Sequence, residues 1–480
     1  MTSLTRRRFL RGSAAAGAAV ALGACSSAPR PRSPNEEVRV AVAGLRGRGR
    51  DHVAGFARLP NVRVVALCDV DSAVLAQAAA QLEQQGTHAA AYADYRALLD
   101  RADVDAVSIA TPNHWHALQA VWACQAGKDV YVEKPVSHNV WEGRQIVHAA
   151  RRHRRIVQAG TQCRSSGAIR DAFAWVREGN LGRITLARGL CYKPRPGIGR
   201  VDGPQAPPGS VDYELWTGPA PMKPLRRRNL HYDWHWDFDT GNGDLGNQGI
   251  HQMDLCRWAL GESALPPRVF SLGGRLGYED DGNTPNTLLT YLEYERAPLL
   301  FEVRGLPRDK AAQSGDWGRG MDSYRGAQIG VIVHCQDGFL RVPDYSSAVA
   351  CAADGAEIRR WEGADDHYAN FIAAVRSRRP QDLTAEIEEG HLSSALCHLG
   401  NLSYQVARGG PAADSGWLAE ARDRMLEHLQ RNGVDPAAVQ RGAWLDVDPG
   451  QERLAAPADA AAQALLTRAY RAPYVMPERV

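Results

Sequence analysis

From Val38 onward, short apolar runs of strand length alternate with segments of helical spacing. The runs are Val38–Ala43, Arg63–Cys68, Asp105–Ala110, Asp129–Val132 and Ile156–Ala159, with helical patterns near Ser72–Gln85, Trp115–Gln125 and Glu142–Arg152. Continuous apolar runs of this length suit strands covered on both faces, and their alternation with helices predicts a doubly wound parallel sheet. Past Thr161 the pattern changes. A helix over Ala168–Glu178 precedes a strand over Ile184–Cys191, and a Pro/Gly-rich excursion runs from Lys193 to Arg228. The segments Val269–Arg275, Thr287–Tyr294, Leu299–Arg304, Ile329–Cys335 and Phe339–Val342 follow with no regular helices between them. They predict an open, mainly antiparallel sheet with helices on one face, Gly243–Leu260 among them. Helical spacing returns over Asp366–Arg376 and Ile387–Arg408. The fold class is thus α/β plus α+β: a doubly wound domain over residues 37–160, an α+β domain over 161–405, and a helical extension with an extended tail over 406–480.

With 480 residues, 44% of them hydrophobic, the chain buries a large core in two or three domains. Its opening differs from the rest. Thr5-Arg6-Arg7-Arg8-Phe9-Leu10 matches the twin-arginine export pattern, and Gly12–Gly23 is a weakly apolar, alanine-rich stretch. Leu22-Gly23-Ala24-Cys25 is similar to a lipoprotein signal-peptidase site. Residues 1–25 therefore read as an export signal and 26–36 as a Pro/Ser linker. Two products stay open, a periplasmic or cell-envelope protein held to the membrane by a lipid on Cys25, and a soluble periplasmic one. The twin-arginine translocase is the expected partner during export.

The first 24 residues hold four arginines and no acid, which leaves 53 basic against 54 acidic residues from totals of 57 and 54, a net of −1. A near-neutral mature chain gives no support for nucleic-acid binding. Cys68, Cys124, Cys163, Cys191, Cys256, Cys335, Cys351 and Cys397 are scattered without a CxxC pair, so they read as buried thiols and no metal site is expected.

Candidate chemistry gathers at the carboxyl ends of the first parallel strands, where such sheets bind ligands. Gly44-Leu45-Arg46-Gly47-Arg48-Gly49 follows the first strand and opens a helix. A dinucleotide fingerprint wants glycine at the first, third and sixth places; Arg46 holds the third, and Gly47 is the candidate substitute. Asp69 ends the second strand 25 residues after Gly44. A carboxylate there accepts from ribose hydroxyls and repels a 2′-phosphate, favouring NAD, while Arg46, Arg48 and Arg50 keep NADP open. Thr111-Pro112-Asn113-His114-Trp115-His116 follows the strand Asp105–Ala110; Thr111, Asn113 and His116 are candidates for the cofactor wall and His114 for packing. Glu133-Lys134-Pro135 follows Asp129–Val132, and its lysine can polarise or deprotonate a substrate hydroxyl.

These motifs in this order resemble the Gfo/Idh/MocA family of glucose–fructose oxidoreductase, inositol dehydrogenase and rhizopine-catabolism proteins, over roughly residues 38–405. The resemblance implies a Rossmann domain, an open substrate sheet, a bound nicotinamide, a carbohydrate substrate and a homo-oligomer. It implies cofactor contacts at Gly44, Gly47, Gly49, Asp69, Asn113, His116 and Glu133, a catalytic lysine at Lys134 and an acid/base histidine at His251. Many members carry an aspartate four residues before that histidine; here the place is Asn247. An amide cannot accept a proton at ordinary pH, which leaves Asp254 and Asp244 as candidate acids, with Asp254 reading equally as the structural partner of a nearby arginine. Gln162, Arg164, Tyr192, Trp234 and His235 complete the expected substrate residues with Asn247 and Asp254. A two-histidine metal site at His231 and His235 has no third ligand in the sequence.

An exported enzyme has no free pool of nicotinamide outside the cytoplasm. The expectation is an oxidoreductase acting on a sugar, cyclitol or polyol hydroxyl with a tightly bound, internally recycled cofactor. The alternative is an NAD-assisted glycoside hydrolase working through a transient 3-keto sugar, and a third reading is a non-catalytic, nucleotide-bound sensor.

Overall fold

The computed structural model describes Ser33 and residues 36–406, 416–457, 460–478 and 480; Arg6–Arg8 and Cys25, which carry the export and lipidation readings, lie outside them. Six parallel strands form the first sheet: β1 (Val38–Ala43), β2 (Val62–Cys68), β3 (Ala90–Tyr92), β4 (Ala106–Ile109), β5 (Asp129–Val132) and β6 (Val157–Ala159), in the order β3-β2-β1-β4-β5-β6. Only β3 is absent from the apolar pattern, because Ala90 and Tyr92 are half-buried and Ala91 is exposed at the sheet edge.

Strand β1 shows why the sheet is covered twice. Val38, Val40 and Val42 enter one layer with Phe56, Leu75 and Phe371, whereas Ala41 and Ala43 enter the other with Leu118, Val121 and Ile146. The helices start where side chains satisfy their free N–H groups. Asp71 caps Ser72–Gln84 and Asn139 caps Val140–His153, each accepting from a first-turn amide.

The second sheet has eleven strands. Its main path is β14 (Glu357–Glu362), β13 (Ser347–Ala352), β12 (Gly338–Val342), β11 (Ile329–Cys335), β7 (Ile184–Tyr192), β10 (Leu299–Arg304), β9 (Thr287–Glu293), β8 (Arg268–Gly274), β16 (Leu445–Asp448) and β17 (Arg453–Leu454), with β15 (Gln440–Arg441) also on β8. All its pairings are antiparallel except β7 with β10. One face packs on the helices Gly167–Arg177, Gly249–Leu260 and Ile387–Gln405.

Three expectations need correcting. Helices do not lie on one face alone: Leu418, Ala421, Met425 and Leu429 of the helix Gly416–Arg431 pack on Leu186, Leu272, Leu289 and Leu300 across the other face. Burying each of the larger apolar side chains stabilises that docking by about 1.5–3 kcal/mol. Second, the helix His367–Ser377 belongs to the first domain's core, since Phe371, Ile372 and Val375 pack with Val38, Val40 and Phe56. Third, the extension after residue 405 is not only helical. It adds β15, β16 and β17 to the large sheet, then returns Tyr474, Met476 and Val480 to the core under β4 and β5. Among the described residues no helix is long and apolar enough to cross a membrane.

Candidate active site

A groove of about 440 Å³ runs along the carboxyl ends of β1, β2, β4 and β5 and is closed on its far side by residues of the second domain. The glycine turn forms its floor. Gly44 has φ +80, and a Cβ there would fall 2.6 Å from the backbone of Ala110 and Thr111. Gly47, at φ +47 and capping the helix Arg48–Ala57, faces open space: a Cβ would meet no protein atom within 4 Å. Space before the amino end of a helix is where a dinucleotide's pyrophosphate is held. Gly47 thus stands where the fingerprint's close-approach glycine belongs, while Arg46 is exposed on the groove rim. Gly49 does not line the groove. A Cβ there would fall 1.8 Å from the Gly44 carbonyl oxygen, so its expected cofactor contact is corrected to helix–strand packing.

Asp69 stands at the end of this floor. Its Oδ2 accepts from Leu45 N at 2.8 Å and its Oδ1 from Asp71 N at 3.0 Å, and burial pushes its carboxyl up. The cofactor that the fold implies fits these residues: an open glycine cradle, a helix terminus beyond it, and a carboxylate on the wall where a ribose would lie.

After β4, Thr111 donates from Oγ1 to Gln119 Oε1 at 2.8 Å, and Asn113 donates from Nδ2 to Asn242 Oδ1 at 2.5 Å. The Oδ1 of Asn113 is buried on the groove wall with no hydrogen-bond partner among the described residues. His116 lines the groove with both of its ring nitrogens already engaged. Its Nδ1 lies 2.7 Å from Pro135 O and its Nε2 2.7 Å from Thr111 O, so both nitrogens face backbone carbonyls. Burial pushes the ring toward its neutral form, which can donate to one carbonyl at a time. Both ring nitrogens are spent on bracing the β4 turn against the β5 turn. His114 packs as expected, with Nε2 3.0 Å from Trp216 O.

Glu133 is buried and held from three sides: Arg48 Nε at 3.0 Å, His52 Nε2 at 3.1 Å, and the Lys134 amide at 3.1 Å. Burial raises its carboxyl, but His52, Arg48 and Lys134 outweigh burial and hold it well below the usual range. Arg48 is thereby committed to Glu133, and to Gln162 Oε1 at 2.7 Å with that amide set to donate to Gly160 O. Lys134 points across the groove and donates from Nζ to Asn247 O at 2.6 Å. Burial pushes its amine down, with Glu133 opposing in part.

The expected helix Gly243–Leu260 is two helices, Gly243–Asn247 and Gly249–Leu260, breaking at Gln248. His251 follows the break on the groove wall. Burial and the Lys134 charge push its ring well below the usual histidine range, and its Nδ1 has no hydrogen-bond partner among the described residues. Asn247 lines the groove beside it. Trp234 and His235 also line it, their rings stacked 3.6 Å apart, with His235 Nδ1 2.6 Å from Tyr232 O.

Three expected substrate residues lie elsewhere. Arg164 Nε donates to both carboxylate oxygens of Asp254 at 2.9 Å in the buried layer beneath the groove. Asp254 also accepts from Ser393 Oγ at 2.6 Å. Tyr192 faces the opposite side of the sheet, donating to Glu302 Oε2 at 2.6 Å, with the Arg304 guanidinium 4.6 Å from its ring centre. Each correction has one cause: a buried charge or phenol is satisfied by the partner nearest in space, and here that partner is structural. Asp244 is likewise spent, accepting Arg195 Nε at 2.8 Å and Nη2 at 2.7 Å. Both candidate acids are therefore neutralised. Among the described residues no group of three or more His, Cys, Asp or Glu is placed to hold a metal, and His231 pairs with Asp71 at 3.0 Å. The eight cysteines among the described residues are free thiols, all buried except the half-buried Cys335.

Sequence reasoning missed several groove residues. Leu215 and Trp216 come from the excursion, which folds back over the end of β2: Ser72 N donates to Ser210 O, and Asp212 N to Val70 O, both at 2.9 Å. The tail latches this flap. Arg471 donates to Glu214 Oε1 at 2.9 Å and Oε2 at 2.8 Å and to Gly218 O at 3.0 Å, while Arg468 donates to His114 O at 2.6 Å. Tyr345 arrives from the turn between β12 and β13. No periodicity or motif marks these residues, because fold-back of distant loops brings them in.

Residues 38–161 match the Gfo/Idh/MocA oxidoreductase family model for the NAD-binding Rossmann fold, and residues 195–277 match that family's C-terminal alpha/beta domain. The chain therefore carries Gfo/Idh/MocA oxidoreductase domains, the first an NAD-binding Rossmann domain. It is 37% identical over 171 residues to glycosyl hydrolase family 109 protein 2 of Shewanella sp. strain ANA-3, covering 31% of this chain and 38% of the relative. It is 35% identical over 174 residues to the alpha-N-acetylgalactosaminidase of Shewanella oneidensis, covering 32% and 38%. The chain thus aligns with well under half the length of these curated relatives. The WlbA dehydrogenase of Bordetella pertussis, solved with NADH and UDP-GlcNAcA, superposes with a TM-score of 0.54 at 18% identity over 75% of this chain and 94% of that one. GenD2 from gentamicin A biosynthesis, solved with NAD, gives 0.54 at 20% identity over 77% and 95%. These likenesses establish the fold.

Proposed function

We propose that the protein is a nicotinamide-dependent oxidoreductase acting on a hydroxyl of a sugar, cyclitol or related polyol. The observation that carries this reading is one groove with two halves. A dinucleotide cradle of Gly44, Gly47 and Asp69 continues into a proton-handling pair, Lys134 and His251. A bound nicotinamide supplies a hydride acceptor and donor.

The chain's own residues handle the proton. Lys134, fixed by the Asn247 carbonyl, donates a hydrogen bond to the substrate hydroxyl oxygen and stabilises the charge that develops there. His251 stays neutral because of burial and the lysine charge, so its ring is ready to accept the hydroxyl proton. With Asp244 and Asp254 both paired to arginines, the site works without a free carboxylate beside the histidine. Asp69 favours NAD, since it sets a carboxylate where a 2′-phosphate would lie, and Arg48, one of the arginines that could hold such a phosphate, is taken by Glu133. We read the protein as exported by the twin-arginine route, with the nucleotide loaded before export and recycled within each turnover. Lipidation at Cys25 and assembly into a homo-oligomer belong to the same proposal.

The names of the two Shewanella relatives favour a second reading, glycoside cleavage, in which the same pair first serves oxidation of a ring hydroxyl. The resulting ketone acidifies the neighbouring C–H, elimination breaks the glycosidic bond, and water addition and reduction complete a redox-neutral cycle.

The test is native purification with the amino-terminal segment intact and mass spectrometry of the released nucleotide. Probe sugars follow: glucose, myo-inositol, N-acetylgalactosamine and p-nitrophenyl α-N-acetylgalactosaminide. One NAD per chain and an alcohol–carbonyl product pair support the first reading; free reducing sugar with p-nitrophenol supports the second. A chain that neither carries nor takes up nucleotide overturns both.

A further inference from the structure

Tyr345 sits beside the acid/base histidine, its ring centre 5.0 Å from that of His251. Its hydroxyl oxygen accepts a hydrogen bond from Gln248 Nε2 at 2.9 Å. The direction of that bond is set from the far end of the amide. Gln248 Oε1 accepts from Lys193 Nζ at 2.8 Å, and an ammonium can only donate, so the amide oxygen must face the lysine and the NH₂ must face Tyr345. Gln252 Oε1, 3.5 Å from the same NH₂, is an acceptor and agrees with this orientation.

The phenol oxygen is thus the acceptor in its contact with Gln248, and its hydrogen is left over. Among the described residues no acceptor takes it, while Tyr345 lines the groove together with Lys134, Asn247 and His251. Burial pushes the phenol up to about 12, so the hydrogen stays on it across the neutral range.

We propose that Tyr345 is a substrate-binding residue whose hydroxyl donates a hydrogen bond to a sugar oxygen next to the reacting hydroxyl, with Lys193 and Gln248 as the positioning residues that aim it. This rests on the carbohydrate-oxidising reading of the groove and adds a specificity to it. The position flanking the reacting carbon must present an acceptor, namely a hydroxyl, ether or carbonyl oxygen. A substrate with an ammonium group there meets a donor facing a donor and is rejected.

Two substitutions test the chain. Tyr345→Phe keeps the ring against His251 and removes the donor. Gln248→Glu keeps the size and gives Lys193 an ion-pair partner, but faces Tyr345 with a carboxylate that draws the phenol hydrogen out of the groove. Bound nucleotide is measured by mass spectrometry, and its reduction or product release with the four probe sugars. Both variants should hold one nucleotide per chain. Each should raise KM by about tenfold, the worth of one hydrogen bond to a substrate oxygen. The double variant should lose no more than either single one, because both remove the same donor. Parent-like KM in Tyr345→Phe, or full additivity in the double variant, overturns the proposal and leaves the function standing. A nucleotide-loaded parent inert toward all four probes overturns the function reading itself, and the role of Tyr345 falls with it.

Discussion

The Lys134 amine donates to the backbone carbonyl of Asn247 at 2.6 Å, joining the end of β5 to the last residue of the short helix Gly243–Asn247. A helix's carboxyl-terminal carbonyl is a favourable acceptor for a cationic amine, so the second domain holds the lysine through backbone. The residue at 247 can therefore change without releasing the amine. Lys134→Met should retain nucleotide and melt near the parent, while turnover falls by about 10³-fold. Turnover within a few-fold of the parent would remove Lys134 from the mechanism.

Gly49 touches no ligand surface, yet its replacement should be severe. The Cβ of Gly49→Ala would lie 1.8 Å from the Gly44 carbonyl oxygen, so the helix Arg48–Ala57 must move off β1 and open the cradle. Nucleotide content after purification should drop below one tenth of the parent's, with a loss of stability of about 1–3 kcal/mol from overpacking. Full occupancy in Gly49→Ala would show that the turn tolerates a shift.

Asp69 accepts from the Leu45 and Asp71 amides, so it both shapes the glycine turn and charges the groove wall. Asp69→Ser keeps an acceptor and deletes the charge. Preference for NAD over NADP, measured by competitive loading of unfolded-and-refolded chain, should fall by about tenfold. An unchanged ratio would place the discrimination elsewhere.

Arg471 grips Glu214 and Gly218 around the flap that supplies Leu215 and Trp216 to the groove. Arg471→Ala should leave the fold intact and speed nucleotide dissociation by about tenfold, and Arg471→Lys should not restore it, since an ammonium lacks the bidentate fork. Equal dissociation rates would make the tail ornamental to cofactor retention.

Acid should unfold the protein through its histidines. Burial pushes His114, His334 and His398 down to about 3 and His367 and His428 down to about 4. Each is neutral when folded and charges at about 6.5 when unfolded, so its contribution is complete above that pH and is lost as pH falls toward 3–4. The slope is about 1.4 kcal/mol per pH unit for each histidine. Urea unfolding at successive pH values from neutral down to the carboxylate range should show stability falling steadily; a flat profile would mean that these rings find counter-charges.

The first sheet was legible because its strands announce themselves locally. Five of its six strands and their helices follow from apolar runs and spacing, and the glycine turn, Asp69 and Lys134 fall at strand ends where any such sheet places them. The strands β13 and β14 escaped for the opposite reason: Ser347–Ala352 is short and alanine-rich, and Glu357–Glu362 is an exposed edge with no buried face to imprint a pattern.

What the sequence could not determine is which polar groups remain available for chemistry. Arg164 and Asp254 are 90 residues apart, Arg48 and Glu133 85, Arg195 and Asp244 49, and the Lys193–Gln248–Tyr345 chain spans three separate segments. Local order specifies backbone conformation through short-range sterics and burial. A buried charge or hydroxyl is satisfied by whichever partner the tertiary fold brings within hydrogen-bond reach, so only the folded chain decides which are spent on structure and which are left facing the groove.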